Sequence, residues 1–287
     1  QAVSWSSDPS VQQLNWDQFY FANDKNLYTV ENANGSGTSV TGNRSKYIVE
    51  EQRADPKRIG LNSVYRKNLL NNRNITVGLN FNRQSTHYFN VLDDLLGGDF
   101  WVDIDQFADR DFDDPIISQN DLSTPNKVAK EGDVIGWDYN IVTRATSLFG
   151  QYEKKWQKVE VYAAAHLAQT SFRRDGNVQN GRFPETSEGK GESQDFLTGG
   201  IKAGATYKIT GRQFIVANAA YLNRPPSPRN SFLSARTRPD VIPGLQSESV
   251  YTGDIGYVVR YARLKARATF YYTKMMDQMW SRFYYND

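Results

Sequence analysis

Apolar and polar residues alternate with period two along much of the chain, the repeat that sends successive side chains of a strand to opposite faces of a sheet. The pattern is cleanest near the C-terminus. There Tyr251, Gly253, Ile255, Tyr257, Val259 and Tyr261 alternate with Thr252, Asp254, Gly256, Val258 and Arg260. Beyond a turn at Ala262-Arg263, Leu264, Ala266, Ala268, Phe270 and Tyr272 alternate with Lys265, Arg267, Thr269, Tyr271 and Thr273. This predicts a hairpin with one apolar and one charged face. The same pattern recurs upstream, in Val159 to Ala168, in Ile201 to Lys208 and in Ile75 to Asn82, and more weakly over 52–69, 134–152 and 213–223. The expected fold is all-β and antiparallel, with about eight strands.

The connections alternate between short and long. Leu70 to Arg73, Glu153-Lys154-Lys155, Thr210-Gly211 and Ala262-Arg263 are expected to be tight turns, while 93–133, 173–195 and 224–249 are long loops. Such loops are uncommon in compact soluble domains and usual in outer-membrane barrels, whose periplasmic turns are short and whose extracellular loops are long. The apolar faces have the length of about 9–11 residues that a tilted strand needs to cross a bilayer. Tyr251, Tyr257, Tyr261, Phe270 and Tyr272 suit interfacial girdles. The expectation is a transmembrane β-barrel in a bacterial outer membrane. Ile255, Tyr257, Val259, Ala266, Ala268 and Phe270 should face lipid, and Asp254, Arg260, Lys265 and Arg267 the lumen. A small self-contained barrel used in adhesion, and a soluble β-sandwich that binds glycans through loop aromatics, fit the same pattern.

Composition narrows the function classes. A mean hydropathy of −0.66 beside Trp 6, Tyr 17 and Phe 15 describes a polar chain rich in amphipathic rings. Lys+Arg 34 against Asp+Glu 32 leaves net +2, and no basic run appears, so nucleic acid is not an expected partner. Cys 0 removes disulfides and thiolate chemistry. No apolar run reaches the length of a membrane helix. His87 and His166 are too far apart in sequence for a zinc-protease pair. No Gly-x-Ser-x-Gly elbow and no dinucleotide fingerprint occur, so an enzyme is not expected.

The loops carry what candidate chemistry there is. Segment 97–114 holds seven aspartates among Phe100, Trp101, Phe107 and Phe112. Clustered carboxylates suit a hard cation, and Asp99, Asp103, Asp105, Asp109 and Asp111 form a candidate Ca²⁺ set without EF-hand spacing. The blander reading is a solvated acidic loop anchored by its rings. Segment 172–193 supplies Arg173, Arg174 and Arg182, and the proline-rich segment 222–243 supplies Arg236. With Trp101 and Phe107, these arginines are the candidate ligand contacts. No other cofactor is indicated.

The runs GGDFWVDIDQFADRDF (97–112), QNDLSTPNKVAKEGD (119–133), FRRDGNVQNGRFPETSEGKGES (172–193) and SESVYTGDIGYVVRYARLKARATFYYTKMMDQ (247–278) resemble the barrel portion of TonB-dependent outer-membrane receptors of Bacteroidetes type. LNWDQFYFAND (14–24) is similar to an extracellular loop of that family. The resemblance implies a large barrel of about 22 strands around a plug, energised import of a sugar, peptide or metal chelate, and TonB as a partner through regions outside this chain. It also implies contact with lipid and lipopolysaccharide, and leaves open a surface lipoprotein. On this reading residues 1–287 are a partial barrel domain. Neither the plug nor an aromatic-ended closing strand is recognisable, no signal peptide precedes Gln1, and Tyr285-Asn286-Asp287 should lie in a loop. No ligand-binding residue carries over from the family.

Overall fold

The computed structural model describes residues 13–279, so the expected loop at Tyr285-Asn286-Asp287 falls outside it. The chain opens with helix α1 (Trp16–Asp24) and the paired strands β1 (Leu27–Val30) and β2 (Val40–Asn43). Two long strands follow, β3 (Val49–Leu69) and β4 (Arg73–Asp94). The first long loop carries β5 (Trp101–Val102), helix α2 (Gln106–Asp111) and β6 (Val128–Ala129). Next come β7 (Val134–Lys155) and β8 (Val159–Gly176), a second loop with β9 (Gly189–Lys190), then β10 (Gln194–Lys208) and β11 (Gln213–Arg224). A third loop leads to β12 (Glu248–Arg260) and β13 (Lys265–Met276).

The eight long strands form one antiparallel meander in the order β13-β12-β11-β10-β8-β7-β4-β3. The outer edges of β3 and β13 pair with no strand among the described residues, so the sheet is an open arc of barrel wall. All four short turns lie at one end and the three long loops at the other. At the β3–β4 turn Asn71 and Asn72 both take left-handed backbone (φ 62° and 54°), the type I′ geometry that matches strand twist. Glu153, Lys154 and Lys155 are not the turn expected of them: they finish β7, and the chain reverses at 156–158, where Trp156 N–H bonds the Val159 carbonyl at 2.7 Å. Lys154 lies over the Trp156 ring at 4.4 Å, which gives its charge a seat within the strand.

The register places the alternation on two faces. On the outer face Tyr65, Val77, Gly150, Ala165, Ile201, Tyr221 and Tyr251 stand in one row across seven strands. Charges on that face mark its limits. Lys57 and Lys67 on β3, Arg73 and Arg83 on β4, and Arg144 and Lys154 on β7 each stand ten positions apart with no charge between them on their face. Ten positions are about 34 Å of strand, or roughly 24 Å along the membrane normal at a tilt of ~45°. This equals the apolar band of about 25 Å on membrane barrels. Within it large apolar side chains are bare, with Phe270 84%, Leu197 70% and Ile201 64% exposed. A soluble sandwich would cover such a face with a second sheet, and among the described residues the other sheets have only two strands each. The expected lipid set Ile255, Tyr257, Val259, Ala266, Ala268 and Phe270 shares this face, and Asp254, Arg260, Lys265 and Arg267 share the other.

The inner face is polar and flat. Phe149, His166 and Tyr162 stand directly across from Gly78, Gly200 and Gly204, and in each pair the ring occupies the space a Cβ on the glycine would need. Only glycine lets a ring lie this close to the neighbouring backbone. Some charges on this face find partners that alternation alone does not reveal. Lys208 pairs with Glu160 at 2.6 Å, Arg260 lies 5.5 Å from the Phe214 ring centre, and Tyr162 donates to Asn218, whose amide donates to Asp254 at 2.9 Å.

The long strands overshoot the band, β4 and β7 reaching 22 residues each, and the excess rises at the long-loop end into a crown. The buried clusters lie here. Leu92, Leu95, Ala129 and Ile135 form one, Val30, Ala33, Phe100 and Val102 a second, and Tyr139, Ile141, Phe172 and Phe232 a third.

Candidate functional site

Three devices fold the crown. Asn23, at the end of α1, is wholly buried; its amide donates to the carbonyls of Tyr47 (2.9 Å), Leu95 (2.9 Å) and Leu96 (3.1 Å), and its oxygen accepts from Lys46 N–H (2.8 Å). One amide thus ties the segment before β3 to the first long loop. Asp103 accepts from Asn120 Nδ2 and Gly136 N–H, each at 2.8 Å, joining that loop to the start of β7. Burial pushes its carboxyl above the ordinary value, against the pull of these hydrogen bonds and of Lys127. Beside it lies a cavity of about 150 Å³ shared by Asn120, Asp121, Lys127 and Trp137.

The third device is Arg174, two strand positions beyond the level of the last buried ring of β8. It is 1% exposed, donates from Nε to Ala235 O at 2.7 Å and from Nη1 to Ser187 O, and lies 5.4 Å from the Tyr139 ring centre. It sits above the charged border of the band, and pins the second and third loops to the wall. Burial lowers its guanidinium to about 10.

The third loop consequently folds inward over the upper inner face. Phe232 packs edge-on against Phe172 at 6.0 Å, and Arg236 reaches across to Gln52 of β3 at 3.2 Å. Beneath it Tyr88 and Tyr139, paired in register, stack at 5.2 Å and 17°, and Trp137 tilts against Tyr139 at 5.7 Å. Arg236 covers Trp137 at 4.9 Å.

The sequence-derived candidates divide accordingly. Arg174 and Arg236 meet at this inward-facing cluster. Trp101 packs on the Leu92–Leu95 cluster, and Phe107 is 68% exposed on α2. Arg173 is paired with Asp175 at 2.7 Å, and Arg182 lies between Asp105 (3.8 Å) and the Phe112 ring (5.7 Å). The five aspartates are kept apart. Asp99 accepts from Asn43 N–H, Asp103 is held as above, Asp105 caps α2, Asp109 lies within α2, and Asp111 pairs with Arg110. Among the described residues no three acidic or histidine side chains gather as a ligand set. Tyr88, Trp137, Tyr139 and Gln52 were not candidates, because strand alternation marks only their face and the inward path of the third loop alone brings them together.

No family model and no curated protein matches the sequence. Among solved structures, the copper transporter OprC is similar in fold, with a TM-score of 0.54 at 11% identity over 78% of this chain and 30% of that one. The open and closed forms of the ferric-catecholate import receptor Fiu from E. coli K12 align at TM-scores of 0.41 and 0.44, with 13% and 15% identity, over 83% and 84% of this chain and 32% and 33% of theirs. The chain thus spans about a third of the length of these three structures. At that identity the OprC likeness bears on architecture and not on cargo. Register, band and likeness agree that the chain is an arc of antiparallel membrane β-barrel wall carrying a folded crown.

Proposed function

We propose that this chain forms wall and outer loops of a TonB-dependent importer in a bacterial outer membrane, with the crown outside the cell. The observation that carries the reading is the open, polar-faced arc of eight strands. Eight strands closed on themselves leave an interior that side chains fill, whereas about 22 enclose a lumen that holds a plug. Here the inner face lays its rings flat, and the edges of β3 and β13 bear backbone groups that only further strands satisfy within lipid. The name of one structural neighbour, a copper transporter, supports transport as the class. A nutrient cargo, coupling to TonB and contact with lipopolysaccharide belong to the same proposal.

Energised uptake tests it. Cells carrying the whole protein should accumulate cargo above the external concentration and lose that gradient when a protonophore collapses the inner-membrane potential. Accumulation indifferent to the protonophore, or a chain that alone forms a monomeric, heat-modifiable barrel, would favour a small barrel acting in adhesion.

A further inference from the structure

Basic side chains stand opposite one another at both borders of the apolar band. At the short-turn border Arg73 of β4 is the register partner of Lys154 of β7, and Lys67 of β3 is its diagonal neighbour. The arrangement recurs ten positions along, where Arg83 is partnered by Arg144 and Lys57 is diagonal to Arg83. Side chains in register have Cβ atoms about 4.5–5.5 Å apart and diagonal ones about 7–8 Å, and like charges so placed are destabilising. An anion held between them reverses that repulsion.

The two borders differ in what else lies near them. Lys57 has Asp55 two positions away on its own face, a carboxylate that pairs with Arg53 at 3.0 Å. At the short-turn border the carboxylates Glu153 and Glu160 lie on the inner face instead, where Gln151 donates to the first at 2.5 Å and Lys208 pairs with the second at 2.6 Å. Among the described residues Lys67, Arg73 and Lys154 make no ion pair, and the enclosed Arg73 Nε has no hydrogen-bond partner. Lys154 is held 4.4 Å from the centre of the Trp156 ring, a side chain of the type that settles at headgroup level.

A groove of about 940 Å³ begins at this border on the outer face. Ile75 and Tyr152, the next outward positions after Arg73 and Lys154, line one end, Gly150, Ala163 and Ala203 its floor, and Tyr251 the far end. It crosses from β4 to β12, five strand spacings of about 4.8 Å or roughly 24 Å. It also climbs, for Ile75 is two positions from the short-turn end of its strand and Tyr251 nine from that of β12. With strands tilted by ~45° the climb is roughly 17 Å, close to half of a hydrocarbon core of about 30 Å. Cations at one end and an apolar trough one leaflet deep match a single phospholipid.

We propose that Lys67, Arg73 and Lys154 bind the phosphate of an anionic glycerophospholipid in the leaflet at the short turns, with an acyl chain of that lipid lying in the groove. On the orientation proposed above this is the periplasmic leaflet. The site belongs to the wall and is independent of what the barrel transports, so it and the import reading fail separately.

The test reconstitutes the whole protein in phosphatidylcholine bilayers with a trace of photoactivatable phosphatidylglycerol or, in parallel, photoactivatable phosphatidylcholine, and maps cross-linked peptides by mass spectrometry. Cross-linking within 65–75 and 150–158 should be about tenfold stronger from the phosphatidylglycerol probe, the scale expected of three basic residues beside an anionic lipid. The triple variant Lys67→Gln, Arg73→Gln, Lys154→Gln should lose that preference, and Lys57→Gln, Arg83→Gln, Arg144→Gln at the opposite border should keep it. Ala163→Phe, which fills the groove floor without touching a charge, should also weaken cross-linking from the phosphatidylglycerol probe. Unlabelled phosphatidylglycerol should compete and inorganic phosphate should not. A retained heat-modifiable gel shift shows that the variants are folded. Equal cross-linking from the two probes, an unchanged preference in the first triple variant, or equal loss in the second would overturn the site. Undiminished cross-linking in Ala163→Phe, or displacement by inorganic phosphate, would leave only a surface for soluble anions and overturn it as well.

Discussion

The wall and the crown are built from the same eight strands yet held together by different forces. In the wall, outward side chains touch only neighbours on their own face, as Tyr221 and Tyr251 do at 4.8 Å, and stability rests on the backbone ladder and on lipid taking up the apolar face. In the crown, the same strands run on into water and bury Leu92 and Phe172 against loops, as a soluble domain does. One sequence therefore meets two solvents, and the register carries the polarity pattern of one into the other. A lesion in the crown should be felt in water, and one in the band only in lipid.

The largest effect expected is at Phe172, 1% exposed between Phe196 (5.6 Å) and Phe232. Phe172→Ala should cost about 3–5 kcal/mol of crown stability. It should open the third loop to protease on intact cells while the heat-modifiable shift of the wall persists. Loss of both together would erase the distinction between the two regions.

Next is Ala203, on the outer face near mid-band, where Arg should cost about 2–4 kcal/mol in a bilayer refolding titration. The same substitution at Ala164, on the inner face of the neighbouring strand, should cost far less. Equal penalties would mean that the faces are not lipid and lumen. Asn23→Ala should remove a buried amide from three carbonyls and cost about 1–3 kcal/mol. Faster hydrogen exchange in 95–102, and unchanged exchange in β10 to β13, would place that loss in the crown.

The smallest effect is a local pH dependence. Asp103 has its pKa raised in the folded crown, so its contribution to stability is full below the unfolded value and is lost as pH rises through the folded one. Stability of the crown to denaturant should therefore fall as the pH rises above the ordinary carboxylate value of about 4. Asp103→Asn should flatten that fall, and a variant with an undiminished slope would assign the dependence elsewhere.

The wall was legible in the sequence because lipid and lumen impose opposite demands on alternate residues. Ile255 and Asp254 declare their faces without help from tertiary structure. The strand ends were harder to read. Beyond Arg83, and again beyond Gln169, both faces meet water or loop, alternation lapses, and β4 and β8 run on unannounced to Asp94 and Gly176. The site was least legible, for Arg174 and Arg173 are adjacent arginines in one strand. Parity sends one into a buried cluster and the other to an ion pair with Asp175, and that parity means something only once the third loop is known to fold inward. The aspartates of 97–111 are a related case: Asp99, Asp103 and Asp105 each accept from backbone amides, a use that spacing does not distinguish from gathering around a cation.

On the import reading proposed above, the glycines opposite Phe149, His166 and Tyr162 would set the clearance of a passage along the inner face. A methyl group at any of them would lift its ring off the wall and tip it towards the axis, narrowing the bore without touching a charge or a hydrogen bond. Selection for the size of what gets through would then be written in residues that have no side chain at all.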